Sequence, residues 1–369
     1  TKTTTYQWVM FMLHRTGCRY GEMMENKENR FQLQSCVWEI TLACCFSCKY
    51  CGSKAGKARE NELTTEECVH VAEQLADMGC RRVSMIGGEV FMRPDWTVIA
   101  EALTKRGVNV SIITNGFAFR DELISELKRV KIESIAVSLD GPERIHDAFR
   151  QRGSFRRAVH AVDRLIKNDI PVSVISTLHS RNVSHLEEMY GILKEKKIYA
   201  WQLQACSPMG NALESDFSTE IDFRKVIQFV KNHMWESEFA LGIADNIGYY
   251  TESEGWLRGN LSGKAVFRGC SAGLSSIGID SIGNVRGCES MYDDSFIEGN
   301  LREKSLYDIW HDPNAFAYNR QFTVEQLSGL CRKCEYGSQC AGGCRSYNYF
   351  THGKLYDSLR CVCKDRSSY

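Results

Sequence analysis

Strand-like runs alternate with amphipathic stretches of helical length through the first two hundred residues, about 30 residues apart, and this constrains the fold more than any other feature. The strand-like runs are VWEITL (37–42), RRVSMI (81–86), NVSIIT (109–114), SIAVSL (134–139), PVSVIST (171–177) and AWQLQA (200–205). Between them stand stretches such as DELISELKRV and RAVHAVDRLIKN. One helix start is explicit. Thr64 and Glu67 form a capping-box pair, Leu63 takes the staple position, and Cys68, Val71, Ala72, Leu75 and Met78 follow at helical spacing until Gly79. Such alternation predicts a parallel sheet wound by right-handed crossovers. Six units by about residue 205 fit a partial (β/α)6 TIM-type barrel better than a closed barrel of eight. We divide the chain into an N-terminal extension (1–35), a barrel core (36–214), a bridging region (215–265) and a cysteine-rich auxiliary domain (266–369).

Chemistry in such a barrel belongs at the carboxyl ends of the strands. CCFSCKYC (44–51), GGE, TNG and SLDG all follow strand-like runs. Disulfides are a poor use for these thiols, because the loops between them are too short to close without strain and no secretion signal precedes them. The apolar start Tyr6 to Leu13 is too short to span a bilayer. With 46 basic and 46 acidic residues there is no global field to draw the chain onto nucleic acid or a membrane. We therefore expect a cytoplasmic protein, in which seventeen cysteines point to thiolate ligands or redox chemistry. Cys44, Cys48 and Cys51 stand as CxxxCxxC, and three thiolates on so tight a loop can hold three corners of a 4Fe-4S cubane with the fourth iron open. The alternative, a zinc site, needs a fourth ligand, for which Cys45 is the local candidate. Otherwise Cys45 reads as a packing residue.

CxxxCxYC after a first strand, followed by GGE after the second, resembles the radical S-adenosylmethionine (SAM) enzymes. That resemblance implies that the open iron chelates SAM, which is cleaved reductively to a 5'-deoxyadenosyl radical. It also implies site roles. Tyr50 flanks the cluster near the adenine; Gly87, Gly88 and Glu89 meet the amino group, the glycines allowing close approach of backbone to ligand. Ser138 and Asp140 lie near the ribose, and Arg150 pairs with the SAM carboxylate through its planar fork.

Past residue 265 the spacing CxxCxxxxxCxxxC demands a ligand role. It resembles the SPASM extension, which holds two auxiliary 4Fe-4S clusters. Carried over, Cys270, Cys288 and Cys344 bind the first, and Cys331, Cys334, Cys340 and Cys361 the second. A further cysteine found in some members about six residues before the first is missing from LSGKAVFRG. The first auxiliary cluster therefore has an open iron, or borrows Cys363, Cys36, Cys18 or a non-cysteine group. Zinc knuckles are the alternative for this region. Cys18, Cys36, Cys68, Cys80 and Cys206 otherwise read as core or incidental thiols, and order in the cysteine-rich region should come partly from what its thiols bind.

On the substrate side, Gln202 and Gln204 lie two apart on a strand and so share a face, opposite Trp201, Leu203 and Ala205. Polar residues on an inward face line a cavity more readily than a core. Glu289, directly after Cys288, stands where related sulfatase-maturating enzymes carry a catalytic aspartate, placed to accept a proton as a substrate radical is oxidised. CGSKAGKARENELTTEE, WQLQACSPMGNA and ADNIGYY resemble segments of enzymes that mature ribosomally made peptides (RiPPs), including spliceases. The resemblance implies hydrogen abstraction from a precursor peptide, giving a crosslink, excision, epimerisation or oxidation. Implied partners are that peptide, a separate leader-binding protein (a RiPP recognition element) and an electron donor such as flavodoxin or ferredoxin. Two other functions stay open: formylglycine formation in a sulfatase, and a zinc-stabilised binding module without catalysis.

Overall fold

In the computed structural model the residues described are 31–212, 223–244, 246–251, 253–258, 266–358 and 361. Most of the N-terminal extension, a third of the bridging region, Cys18 and Cys363 lie outside them. Seven parallel strands run in chain order: β1 (Ser35–Glu39), β2 (Arg82–Ile86), β3 (Asn109–Thr114), β4 (Ser134–Ser138), β5 (Val172–Leu178), β6 (Ala200–Ala205) and β7 (Ala240–Ile243). The helices between them are α1 (Thr65–Asp77), α2 (Trp96–Thr104), α3 (Asp121–Arg129), α4 (Glu143–Phe149), α5 (Ser154–Lys167), α6 (Leu186–Leu193) and α7 (Phe223–His233).

The capping box that the sequence announces at α1 is present. Glu67 N–H donates to the Thr64 hydroxyl at 3.2 Å, and Thr64 N–H donates to the Glu67 carboxylate at 2.8 Å. Along α5, Ala158, Ala161, Val162 and Leu165 recur at helical spacing and are buried against the sheet. On each strand one set of alternate residues is buried against the helices, as with Val172, Val174 and Leu178 on β5, while Ser173, Ile175 and Thr177 face the other side. A buried polar pair on the helix side is satisfied: Trp201 Nε1 donates to Ser176 Oγ at 2.8 Å, and that hydroxyl donates to the Leu139 carbonyl at 2.5 Å.

Three features differ from the sequence reading. The first strand begins and ends earlier than 37–42, because the chain at Leu42 turns off to hydrogen-bond the Glu62 carboxylate. A seventh strand, β7, extends the six units; its run ALGI is only four residues, too short for a periodicity to register. The cysteine-rich region also does not stand apart. Its strand β8 (Ser276–Ile279) pairs in parallel with β1, and β9 (Asn284–Arg286) and β10 (Gly299–Asn300) follow antiparallel, giving one ten-stranded sheet ordered β10-β9-β8-β1-β2-β3-β4-β5-β6-β7. Ile277, Ile279, Val285, Leu306, Trp310 and Phe316 join the main hydrophobic core, so much of this region's order comes from packing.

Candidate active site

The cysteine loop leaves β1 and is closed by its own backbone. Cys44 N–H donates to the Gly56 carbonyl at 2.9 Å, and Gly56 N–H donates to the Leu42 carbonyl at 3.0 Å. Inside that ring backbone donors point at sulfur: Phe46 N–H lies 3.4 Å from Cys44 Sγ, and Ala55 N–H 3.3 Å from Cys51 Sγ. Donors aimed at sulfur favour thiolate and tune bound iron. Burial holds the Cys48 thiol up at about 11 while it carries its proton, so loading metal must release that proton.

Two segments brace the loop from outside. After β6, Asn211 N–H donates to the Cys51 carbonyl at 2.8 Å and its side-chain amide to the Cys48 carbonyl at 3.2 Å. Gly210 is needed there, since its φ is +63° and a Cβ would sit 2.1 Å from the Cys51 carbonyl oxygen. After β3, the Asn115 amide lies 3.8 Å from both Cys44 Sγ and Cys45 Sγ. Sequence reasoning passed over Asn115 and Asn211 as site residues, although TNG and MGNA at strand ends were the available signals.

Gly87 and Gly88 lie against protein backbone. A Cβ on Gly87 would meet the Thr41 carbonyl oxygen at 2.4 Å, and one on Gly88 the Ala43 carbonyl oxygen at 2.2 Å. The close approach is therefore to the backbone that launches the cysteine loop, and Gly88 N–H and Glu89 N–H complete it by donating to the Thr41 and Ala43 carbonyls at 2.8 and 2.7 Å. Glu89 is fully enclosed. Burial pushes its carboxyl up to about 7, against hydrogen bonds from Asn115 N–H and the Thr114 hydroxyl, both at 2.8 Å.

Asp140, just past the end of β4, organises the opposite wall. It accepts hydrogen bonds from the Tyr50 hydroxyl, from Arg150 Nε at 2.5 Å and from Thr177 N–H at 2.9 Å. Burial alone would raise its carboxyl; Arg150 and its other partners hold it at about 2. Arg150 turns its fork to this buried anion and crosses the Tyr50 ring at 5.4 Å. Ser138 is buried one residue before Leu139 on the same strand end. Tyr50, Asp140 and Arg150 are thus brought together beside Cys48, whose thiol feels both charges.

Two histidines support this wall and are buried neutral. His146 Nδ1 accepts from Asp140 N–H at 3.1 Å, and burial depresses both His146 and His179 to about 4. A base whose folded pKa lies below its unfolded value near 6.5 contributes its full stability above that pH and loses it as pH falls from 6.5 towards 4. Each is worth up to about 3 kcal/mol. The thermal midpoint is expected to fall steadily below pH 6.5; a flat midpoint from pH 7.5 to 4.5 would contradict the burial argument.

The second cysteine region contains a small cavity of about 10 Å³, lined by Cys331, Cys334, Cys340 and Cys361 together with Tyr250 and Tyr336, whose rings stack at 4.4 Å. Cys270 and Cys288 pack together against Phe296, Tyr318 and Tyr349. Cys344 N–H donates to the buried Tyr249 hydroxyl at 3.0 Å. Glu289 is 7% exposed, and both its carboxylate oxygens are buried without a hydrogen-bond partner among the described residues. Burial, then the nearby Glu39, pushes its carboxyl well up. Cys36, Cys68, Cys80 and Cys206 are buried, Cys36, Cys68 and Cys80 in the main core. Gln202 and Gln204 are half-buried on the face of β6 away from the helices, with Gln204 donating to Thr177 Oγ1 at 3.1 Å.

The family model of the radical SAM superfamily matches residues 38–193, and that of the SPASM iron-sulfur cluster-binding domain matches residues 270–335. The chain is a radical SAM enzyme with a SPASM domain. It is 29% identical over 341 residues to an AdoMet-dependent heme synthase of Methanosarcina barkeri, covering 88% of this chain and 95% of that one. It is 28% identical over 335 residues to the mycofactocin maturase MftC of Mycobacterium ulcerans, covering 89% of this chain and 88% of that one. Among solved structures, Streptococcus suis SuiB bound to its precursor peptide SuiA superposes with a TM-score of 0.72 at 16% identity, covering 90% of this chain and 76% of that one.

The chain's radical SAM and SPASM domains imply SAM and iron-sulfur clusters. Among the described residues no three His, Cys, Asp or Glu side chains are arranged to hold one metal ion. Four cysteines, Cys331, Cys334, Cys340 and Cys361, line one cavity, the thiolate set that a 4Fe-4S cluster takes. No described helix is long and apolar enough to cross a membrane.

Proposed function

We propose that this radical SAM enzyme modifies a ribosomally made precursor peptide by hydrogen abstraction, leading to a crosslink, excision, epimerisation or oxidation. Cys44, Cys48 and Cys51 hold the SAM-binding cluster; Cys270, Cys288 and Cys344 hold one auxiliary cluster and Cys331, Cys334, Cys340 and Cys361 another. When bound, SAM and its cluster supply the 5'-deoxyadenosyl radical. Around them Tyr50, Gly87, Gly88, Glu89, Ser138, Asp140 and Arg150 shape the SAM pocket, with Asp140 fixing Tyr50 and Arg150 in one orientation.

The observation that carries the peptide reading is the lining of the sheet face away from the helices. It presents Ser84, Ser111, Thr177, Gln202 and Gln204, groups that both donate and accept, interspersed with Ile86, Ile113 and Ile175. Such a lining suits the alternating N–H and C=O groups of a peptide. The similarity to mycofactocin maturase runs through both domains and agrees. A second reading, radical chemistry on a tetrapyrrole, is favoured by the 29% identity to the heme synthase. Incubating the holoenzyme with SAM, reductant and either a precursor peptide encoded beside it or an iron porphyrin separates the two. A mass change in the peptide supports the proposal; turnover of the porphyrin alone overturns it.

Glu289 is the proposed catalytic proton acceptor. Its two unpartnered oxygens leave it free to take a substrate proton, and burial makes its carboxylate a stronger base than an ordinary glutamate. Glu289→Gln is expected to leave SAM cleavage intact and slow peptide conversion at least about tenfold. Unchanged conversion would discard the role.

A further inference from the structure

The chain is neutral overall, yet its charges are unevenly spent around the cysteine loop. Arg144, Arg150, Arg156 and Arg164 are paired with Glu188, Asp140, Glu143 and Asp121 respectively. Those pairs occupy the local carboxylates. Lys49, Arg152, Arg157 and Arg181 are all exposed, and none makes an ion pair with a described carboxylate.

Three of these cations sit on aromatic rings that touch the loop. Arg157 lies 4.7 Å over the ring of Phe117, which stands 40% exposed. Phe117 in turn meets the edge of Phe46, inside the cysteine loop, at 6.1 Å. On the other flank Lys49 and Arg181 approach the Phe149 ring at 5.6 and 5.9 Å, and Lys49 N–H donates to the Phe149 carbonyl at 2.9 Å. A continuous line therefore runs from Arg157 and Phe117 through Phe46, Ser47 and Lys49 to Phe149 and Arg181. Ser47 and Lys49, which flank Cys48 in the chain, are exposed, and the buried Phe46 and Phe149 rings lie beneath them. Exposed cations without carboxylate partners, beside one exposed aromatic ring, suit a small, transient and salt-sensitive contact with an anionic partner.

We propose that this face is the docking surface for an acidic one-electron carrier protein of the flavin or iron-sulfur type. The inference rests on the cluster proposed at Cys44, Cys48 and Cys51. SAM cleavage consumes one electron: the carrier is oxidised by one electron, the sulfonium accepts it, and its carbon–sulfur bond breaks to methionine and the deoxyadenosyl radical. The carrier reaches the loop from solvent here, leaving the polar face of β5 and β6 free for substrate. Charge complementarity steers the encounter, so its rate falls with salt.

The test compares Arg157→Glu/Arg181→Glu with wild-type holoenzyme, using a bacterial flavodoxin as the probe. Affinity for oxidised flavodoxin, read by titration at low salt, is expected to fall at least about tenfold. Deoxyadenosine formation driven by reduced flavodoxin should fall in parallel, while formation driven by dithionite stays at the wild-type rate. Unchanged flavodoxin affinity overturns the surface. So does a loss confined to precursor-peptide binding, which would make the patch a site for an acidic peptide. If dithionite-driven formation falls as well, affinity measured on the milder Arg157→Gln/Arg181→Gln variant decides by the same criterion. Peptide conversion that fails while dithionite-driven cleavage and flavodoxin binding persist counts against the substrate reading and leaves the surface standing.

Discussion

Cys48→Ala is expected to remove SAM cleavage, lowering deoxyadenosine formation at least about a thousandfold, a barrier change of about 4 kcal/mol. The argument is one of ligand count. Three thiolates leave one iron open for the cofactor, and with two left the cluster is no longer held. The loop's fold should survive, because the bonds that shape it at this position are made by the Cys48 carbonyl, which accepts from the Asn211 amide at 3.2 Å and from Cys51 N–H at 3.2 Å. Cys45→Ala is the informative control. It removes a thiol of similar exposure one residue from Cys44, yet cleavage should stay near the wild-type level. Comparable losses in both variants would show that the loop tolerates no change, and would withdraw the special role of Cys48.

Asp140→Ala should cost about 3–5 kcal/mol of stability, the usual result of stranding one partner of a buried ion pair. Its carboxylate gathers the Tyr50 hydroxyl, the Arg150 guanidinium and Thr177 N–H in an enclosed site. Truncation leaves Arg150 buried with no counter-charge. Adding Arg150→Leu should restore part of the loss, because the stranded charge is then gone. SAM affinity should fail in both variants, since Tyr50 and Arg150 lose their common anchor. Anaerobic unfolding of wild type, single and double variants in parallel reads the effect; a single-variant loss below about 1 kcal/mol would place Asp140 outside the framework.

Local signals of the barrel were legible because each had its own physical cause. The capping box at Thr64 and Glu67 needs only two side chains three residues apart, and the helical spacing on α5 needs only its own sequence. Features that depend on distant neighbours were not. Nothing in ALGI distinguishes β7 from a loop until β6 is beside it. Likewise, GGE carries no mark that its glycines face the backbone of residues 41–43. The pairing of Arg150 with Asp140, ten residues away, likewise depends on how the strand end and the helix after it meet. The merging of β8 with β1 was hidden for the same reason: pairing between strands some 240 residues apart leaves no local pattern.

The central claim is a three-thiolate cluster at Cys44, Cys48 and Cys51 that presents SAM to one electron. Its most direct test is a product measurement on anaerobically reconstituted protein with SAM and dithionite. Deoxyadenosine and methionine forming in equal amounts, and only when the cluster is loaded, is the predicted result. Fully loaded, strongly reduced protein that leaves SAM intact would contradict it.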